Sequence, residues 1–189
     1  MKRLLLVLLV AVMAIPTFQS CKKGADDPAI SLKSRKARLC GDWTLTSGTI
    51  TFTSSTTSVN TYNGTTVSYS TGGSVSYTQT MSIVKDGTFK LTILDNGDQY
   101  AYEGQWYFMD GNKDNKIKDK ECVGFVETKL TYTPAGGGAT SITSWVSTNP
   151  DMIWQLDELK SKEIIVTINE VTTSTATSSQ TGTLTYTKK

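Results

Sequence analysis

The 189-residue chain contains no histidine. That absence removes Ser-His-Asp and Cys-His nucleophiles, imidazole acid–base catalysis and nearly every zinc site. Arginine stops at Arg38, and cysteine is limited to Cys21, Cys40 and Cys122. Long apolar runs are missing too: the one clear run, Leu4 to Ile15, is shorter than the roughly 20 residues that a membrane-spanning helix needs.

What is present begins with a secretory signal. Lys2 and Arg3 precede the apolar run, and small and polar residues follow it up to Cys21. This leader carries two of the 19 basic residues and none of the 17 acidic ones, so the remainder has 17 of each and no net charge. The electrostatic footprint of a nucleic-acid binder is absent, and no nucleic-acid partner is expected.

Phe18-Gln19-Ser20-Cys21 resembles the lipobox of bacterial lipoproteins, and a Ser-Cys ending followed by Lys22-Lys23 is similar to lipoproteins of Gram-negative bacteria. The resemblance implies that Cys21 is acylated with palmitate-type chains and holds the protein on the outer membrane, on its periplasmic or its surface face. Only Cys40 and Cys122 then remain, too few for a cysteine-only metal cage. The expected organisation is a signal peptide over 1–20, a lipidated tether over 21–30 and a single domain over 31–189. Ser31 to Leu39 can form one or two helical turns with Ser31 as N-cap. Its Lys33, Arg35, Lys36 and Arg38 make a basic cluster, read as a solvated face or a contact with lipid phosphates.

After Gly41 the chain has β character. Side chains alternate with period two in Val75, Tyr77, Gln79, Met81, Ile83, in Phe89, Leu91, Ile93, in Tyr100, Tyr102, Gly104, Trp106, Phe108, and in Ile164, Val166, Ile168. Asp86-Gly87 and Asn96-Gly97 are hairpin signals. Eight strands are expected: 43–53, 74–84, 88–94, 99–109, 121–133, 140–156 with a break at Asn149-Pro150, 163–170 and 181–187. An eight-stranded antiparallel meander hides its edges by closing into an up-and-down barrel. Residues 54–73 then form either a lid or an added hairpin turning at Asn63-Gly64.

Gly41-Asp42-Trp43 at the head of the first strand, after a short helix and before such a meander, resembles the lipocalin family, in particular lipocalin-like domains of bacterial lipoproteins. Trp154-Gln155-Leu156-Asp157-Glu158-Leu159 followed by Ile164-Ile165-Val166 carries the same likeness. The resemblance implies a barrel that holds a small apolar or amphipathic molecule at its open end, with no cofactor and no catalysis. The family's final-strand arginine, which covers the motif tryptophan, has no counterpart after Arg38, leaving Arg38 or a C-terminal lysine to substitute. Met81, Phe89, Tyr100, Tyr102, Trp106 and Phe108 are the candidate pocket residues; the same side chains could instead fill a small barrel. A filled barrel docking on an outer-membrane protein or a glycan is the competing reading.

Two further constellations need weighing. In DGNKDNKIKDKE, Asp110, Asn112, Asp114 and Glu121 take the first, third, fifth and twelfth places of an EF-hand-like calcium loop. Asn115 stands at the glycine position, four lysines oppose cation capture, and the flanks have strand period. A solvated hairpin loop with no metal is therefore the expectation. Strand counting puts this loop at the closed end, where Cys40 and Cys122 also fall. They form either a disulfide or two small buried side chains, and a barrel hairpin at Asn63-Gly64 is expected to invert the count and break the bridge.

Overall fold

The computed structural model describes residues 33–111, 121–172 and 178–189, with the side chains of 171 and 172 set aside. The signal, Cys21, the tether, and residues 112–120 with Asn112 and Asp114 of the loop lie outside the described residues. Among the described residues one short helix, α1 (Arg35–Leu39), precedes eleven strands. These are β1 (Gly41–Thr53), β2 (Thr57–Tyr62), β3 (Thr66–Tyr69), β4 (Ser74–Ile83), β5 (Thr88–Asp95), β6 (Asp98–Phe108), β7 (Cys122–Thr133), β8 (Ser141–Ser144), β9 (Met152–Leu159), β10 (Glu163–Thr172) and β11 (Ser178–Lys188). Every pairing is antiparallel, and the sheet closes through β6–β7 and β1–β4. The fold is an all-β antiparallel barrel, with one short helix among the described residues.

The expected count of eight is corrected to eleven among the described residues. Residues 54–73 are not a lid: they contain the hairpin β2–β3, whose turn is tied by Asn63 Oδ1 accepting from the backbone of Thr65 and Thr66. The expected strand over 140–156 is divided into β8 and β9, with 145–151 between them. The hairpin does not invert strand direction, because it adds two strands and β4 still runs antiparallel to β1. The expected Ser31 N-cap is replaced by Ser34, whose hydroxyl accepts from Ala37 N at 3.1 Å.

Three register shifts interrupt the wall among the described residues, at Thr46, Thr128 and Asp157, and the first two let a strand change partner. β1 pairs with β4 through Gly41–Thr44 and with β2 from Gly48 onward. The register against β11 slips between these stretches, leaving Thr46 unpaired in the ladder, and Thr46 Oγ1 donates to Thr185 O at 3.1 Å. β7 repeats the device: it pairs with β9 over Cys122–Phe125 and with β8 over Lys129–Tyr132. There Thr128 is the extra residue against β6, and its Oγ1 donates to Glu103 O at 3.2 Å. A bulge increases local twist, which lets one strand leave one neighbour and take up another. Gly104 faces the second bulge, and a Cβ on it would lie 1.9 Å from Val126 O.

The aromatic part of the core occupies the closed half, where α1, the 84–87 turn and the β9–β10 turn meet, and Ile50, Tyr62, Val67 and Ile168 continue the core toward the other end. Phe89, Phe125, Trp154 and Tyr186 form a continuous aromatic column with ring centroids 5.1, 5.0 and 4.7 Å apart. Trp43, Met81, Ile83, Leu159 and Ile164 pack around it. Rings of this size each bury about 150–250 Å² and dominate core energetics.

Cys40 and Cys122 are both buried and both free, so the disulfide alternative is corrected. The reason lies around the barrel and not along it. From β1, which follows Cys40, the pairings reach β7 only through β4, β5 and β6 on one side or β11, β10 and β9 on the other. Cysteines that head opposite walls cannot meet the limit of roughly 7 Å between Cα atoms that a disulfide sets.

Candidate functional site

At the closed end, the glycine and the tryptophan of Gly41-x-Trp43 have separate tasks. Trp43 is completely buried and its Nε1 donates to Leu39 O at 2.7 Å. Lys188, paired with Trp43 in the β1–β11 register, places Nζ 4.8 Å from the Trp43 ring centroid. The same ammonium donates to Cys40 O at 2.6 Å and to Arg38 O at 3.3 Å. Three successive carbonyls at the end of α1 are thus satisfied by two side chains, at the terminus where cations are favoured. Gly41 makes this possible: it has φ +142°, and a Cβ there would lie 2.1 Å from Lys188 Cε. Of the two substitutes considered for the covering arginine, Lys188 takes the place over the ring. Arg38 instead donates from its guanidinium to Leu159 O at 2.7 Å and closes the floor.

Toward the open end the interior changes character. Tyr77 hydroxyl donates to Gln79 Oε1 at 2.8 Å, and Gln79 Nε2 donates to Tyr186 hydroxyl at 2.9 Å. The Tyr62 and Tyr77 rings lie 5.1 Å apart, and Tyr69, Tyr77 and Tyr102 pack onto the core from this side. Burial pushes the phenols of Tyr62, Tyr77, Tyr102 and Tyr186 above the ordinary tyrosine value, with neighbouring phenols adding to the rise for each. These groups stay neutral and act as hydrogen-bond donors and acceptors.

One carboxylic acid belongs to this layer. Glu127 lies two residues along β7 from Phe125, and its charge acts on Tyr102. Burial first, and Asp151 second, raise its pKa to about 7. Asp151 Oδ2 accepts from Glu127 N at 2.8 Å, while Glu170 Oε1 accepts from Ile153 N at 3.4 Å where β9 begins. An acid whose pKa is raised to about 7, beside the neutral Tyr102 phenol, can offer the polar head of a guest donors as well as acceptors.

The candidate pocket residues divide between the two halves. Met81, Phe89 and Trp106 are core side chains at 1%, 3% and 5% exposure, and Phe108 stacks edge-on against Trp106. They fill space instead of lining it. Tyr102 belongs to the polar layer, and Tyr100 stacks on Tyr132 at 5.0 Å. Missed by the sequence reading were Tyr62, Gln79, Glu127 and Tyr186. Gln79 shares the alternation of Met81, and Glu127 is a lone charge in the apolar run VGFVE. Both signals were available.

Of the calcium-loop residues, Asp110 and Glu121 are described, at the closed end as expected. Among the described residues no group of three or more acidic or cysteine side chains is placed to hold a metal ion. None of the described helices is long and apolar enough to cross a membrane.

Comparison with known proteins adds little. No protein-family model and no curated protein matches the chain. Among solved structures it is similar to Rv2717c from M. tuberculosis, at 11% identity over 78% of this chain and 91% of that one, with a TM-score of 0.30. So slight a likeness bears on neither family nor function.

Proposed function

We propose that this protein is an outer-membrane lipoprotein, anchored through acylated Cys21, whose lipocalin-like barrel binds a small amphipathic molecule at its open end without catalysis. The observation that carries the reading is the change in the interior, from a filled aromatic floor to tyrosine hydroxyls joined through Gln79, with Tyr102 beside Glu127. The floor restricts a guest to the open half. Its apolar body would meet Ile50, Phe52, Ile93 and Ile168, all in or against the core there, and its polar head the tyrosines and Glu127. Native mass spectrometry after mild purification tests the binding: a co-purifying small amphiphile, lost in Tyr102→Ala, is expected. A guest-free protein that takes up no amphiphile would sink the reading. The anchor is tested separately, by loss of palmitate labelling in Cys21→Ser.

A second reading has an observation of its own. β8 pairs only with β7 among the described residues, and Ile142 and Val146 beside its free edge are 65% and 96% exposed. An open strand edge with apolar side chains is a template for strand addition, as expected of a filled barrel that docks on an outer-membrane protein. Crosslinking from position 146 in intact cells to one protein partner would favour this reading over the first.

A further inference from the structure

The two ends of the barrel differ in charge. At the closed end Lys33 and Lys36 on and before α1, Lys85 in the β4–β5 turn, Lys162 in the β9–β10 turn and Lys188 at the end of β11 come together. Their proximity is visible in what they act on: Lys36, Lys188 and Lys85 all bear on the Cys40 thiol, Lys33 bears on Lys188, and Lys188 N donates to Lys162 O at 2.9 Å. Lys33, Lys36, Lys85 and Lys162 are exposed. The acids at this end are Asp42, Asp86, Asp110, Glu121, Glu158 and Glu163; Asp86 is engaged by the backbone and hydroxyl of Thr88, and Glu158 and Glu163 both pair with Lys160 in the β9–β10 turn. At the other rim, the connections 54–56, 70–73, 96–97, 134–140 and 145–151 contain neither lysine nor arginine.

Apolar surface accompanies the lysines. Val84, 43% exposed, precedes Lys85 in the same turn, and its carbonyl accepts from Trp106 Nε1 at 2.8 Å. Lys36 Nζ lies 5.6 Å from the Trp106 ring centroid, and Tyr107, next along β6, is 41% exposed. Lysines interspersed with an exposed valine and an exposed tyrosine have the composition of a surface that sits at headgroup level.

We propose that this closed end is a docking face for an anionic phospholipid surface, so that the barrel stands on the membrane with its tyrosine-lined end directed away. The proposal rests on the lipoprotein reading for its orientation in the cell and on charge complementarity for its binding. The chain supplies the first link: Cys21 is 12 residues before Lys33, a span that reaches at most about 40 Å fully extended and keeps this end the nearer one. Each lysine near a negatively charged bilayer contributes about 1 kcal/mol, which is roughly fivefold in affinity.

The test uses the chain from residue 21 with Cys21→Ser, so that no acyl chain contributes. Vesicles of phosphatidylcholine with about one third phosphatidylglycerol are compared with pure phosphatidylcholine by co-sedimentation, at low and high salt. Binding to the anionic vesicles alone, lost at high salt, is expected. The variant K33Q/K36Q/K85Q/K162Q, with unchanged circular dichroism, is expected to bind at least tenfold more weakly. Replacing Lys90 and Lys129, which lie on the barrel wall, is expected to change nothing. Equal sedimentation with both vesicle types, none with either, or full binding by the fourfold variant would overturn the proposal. None of these outcomes depends on acylation, so a lipoprotein without the docking face and a docking face without the lipid anchor are told apart by the palmitate-labelling result.

Discussion

The closed and open halves of this barrel share the same long strands and differ in what those strands turn inward. β4 carries Met81 and Ile83 into one half and Tyr77 and Gln79 into the other; β7 carries Val123 and Phe125 into one and Glu127 into the other. Below, apolar rings pack at 4.7–5.1 Å and the helix closes the end. Above, β2–β3 and β8 are spliced into the wall at the two bulges, and the interior is made of phenols joined by an amide. Stability is therefore concentrated in the half that has no room for a guest. The open half is joined by neutral hydrogen bonds, whose net contributions are small.

The largest expected effect breaks this comparison most directly. Trp154→Ala removes the ring between Phe125 and Tyr186 and leaves a cavity in the packed half, at a cost of about 3–5 kcal/mol in denaturant unfolding. Tyr62→Ala, in the open half, removes a buried ring from the margin of the core together with its contact to Tyr77, and a smaller loss of about 2–3 kcal/mol is expected. Equal losses would mean that the halves are not energetically distinct.

The closed end can be sharpened next. Lys188→Met retains an aliphatic stem over Trp43 but removes the charge and both bonds to the helix carbonyls, so about 1–2 kcal/mol should be lost. Gly41→Ala is expected to cost a similar amount, because the new methyl group would displace the lysine. If Gly41 exists to admit Lys188, the double variant will lose clearly less than the two single losses combined. Additive losses would show that the glycine is required by its own backbone angle alone.

Much of the strand plan was legible because alternation and turn chemistry are local. Asn96 and Gly97 adopt positive φ, as the hairpin signal requires, and the expected strands 88–94 and 99–109 differ from β5 and β6 by a residue at their ends. The missed features are relations between distant segments. A bulged threonine looks like any other threonine, so neither Thr46 nor Thr128 announced where a strand would change partner. Residues 54–73 lacked a strong apolar rhythm because only Tyr62 and Val67 of β2 and β3 are buried. Counting strand directions placed Cys40 and Cys122 at one end, but direction says nothing about position around the circumference. The sequence left Arg38 and a C-terminal lysine as alternatives for covering Trp43; only the register with Trp43 shows that Lys188 does so.

The acid in the open half offers a pH-dependent view of the same comparison. Burial raises the Glu127 pKa to about 7, above its value in the unfolded chain, so the folded protein binds the extra proton between the ordinary glutamate range and neutrality. Stability contributed by the protonated form is complete below that range and is lost as pH rises through about 7. The thermal midpoint should therefore fall between about pH 5 and about pH 8, and Glu127→Gln should flatten this fall and exceed the parent at the upper end. Since the group is only half-buried, a shift of a few degrees is expected. The same slope in the glutamine variant would place the titration elsewhere.

The smallest effects concern the two bulges. Thr46→Val and Thr128→Val keep the branched shape and remove only the hydroxyl that satisfies Thr185 O and Glu103 O, so each is expected to cost about 1 kcal/mol. Their consequences should nevertheless differ in place. Thr46 stands where β1 turns from β4 to β2, so its loss should speed amide exchange in the β2–β3 hairpin. Thr128 stands where β7 turns from β9 to β8, and exchange should rise in β8 and around Glu127 instead. Exchange rising equally in both places would show that the open half loosens as one unit. Separate responses would show two independent inserts in one wall, either of which can loosen while the aromatic floor stays shut.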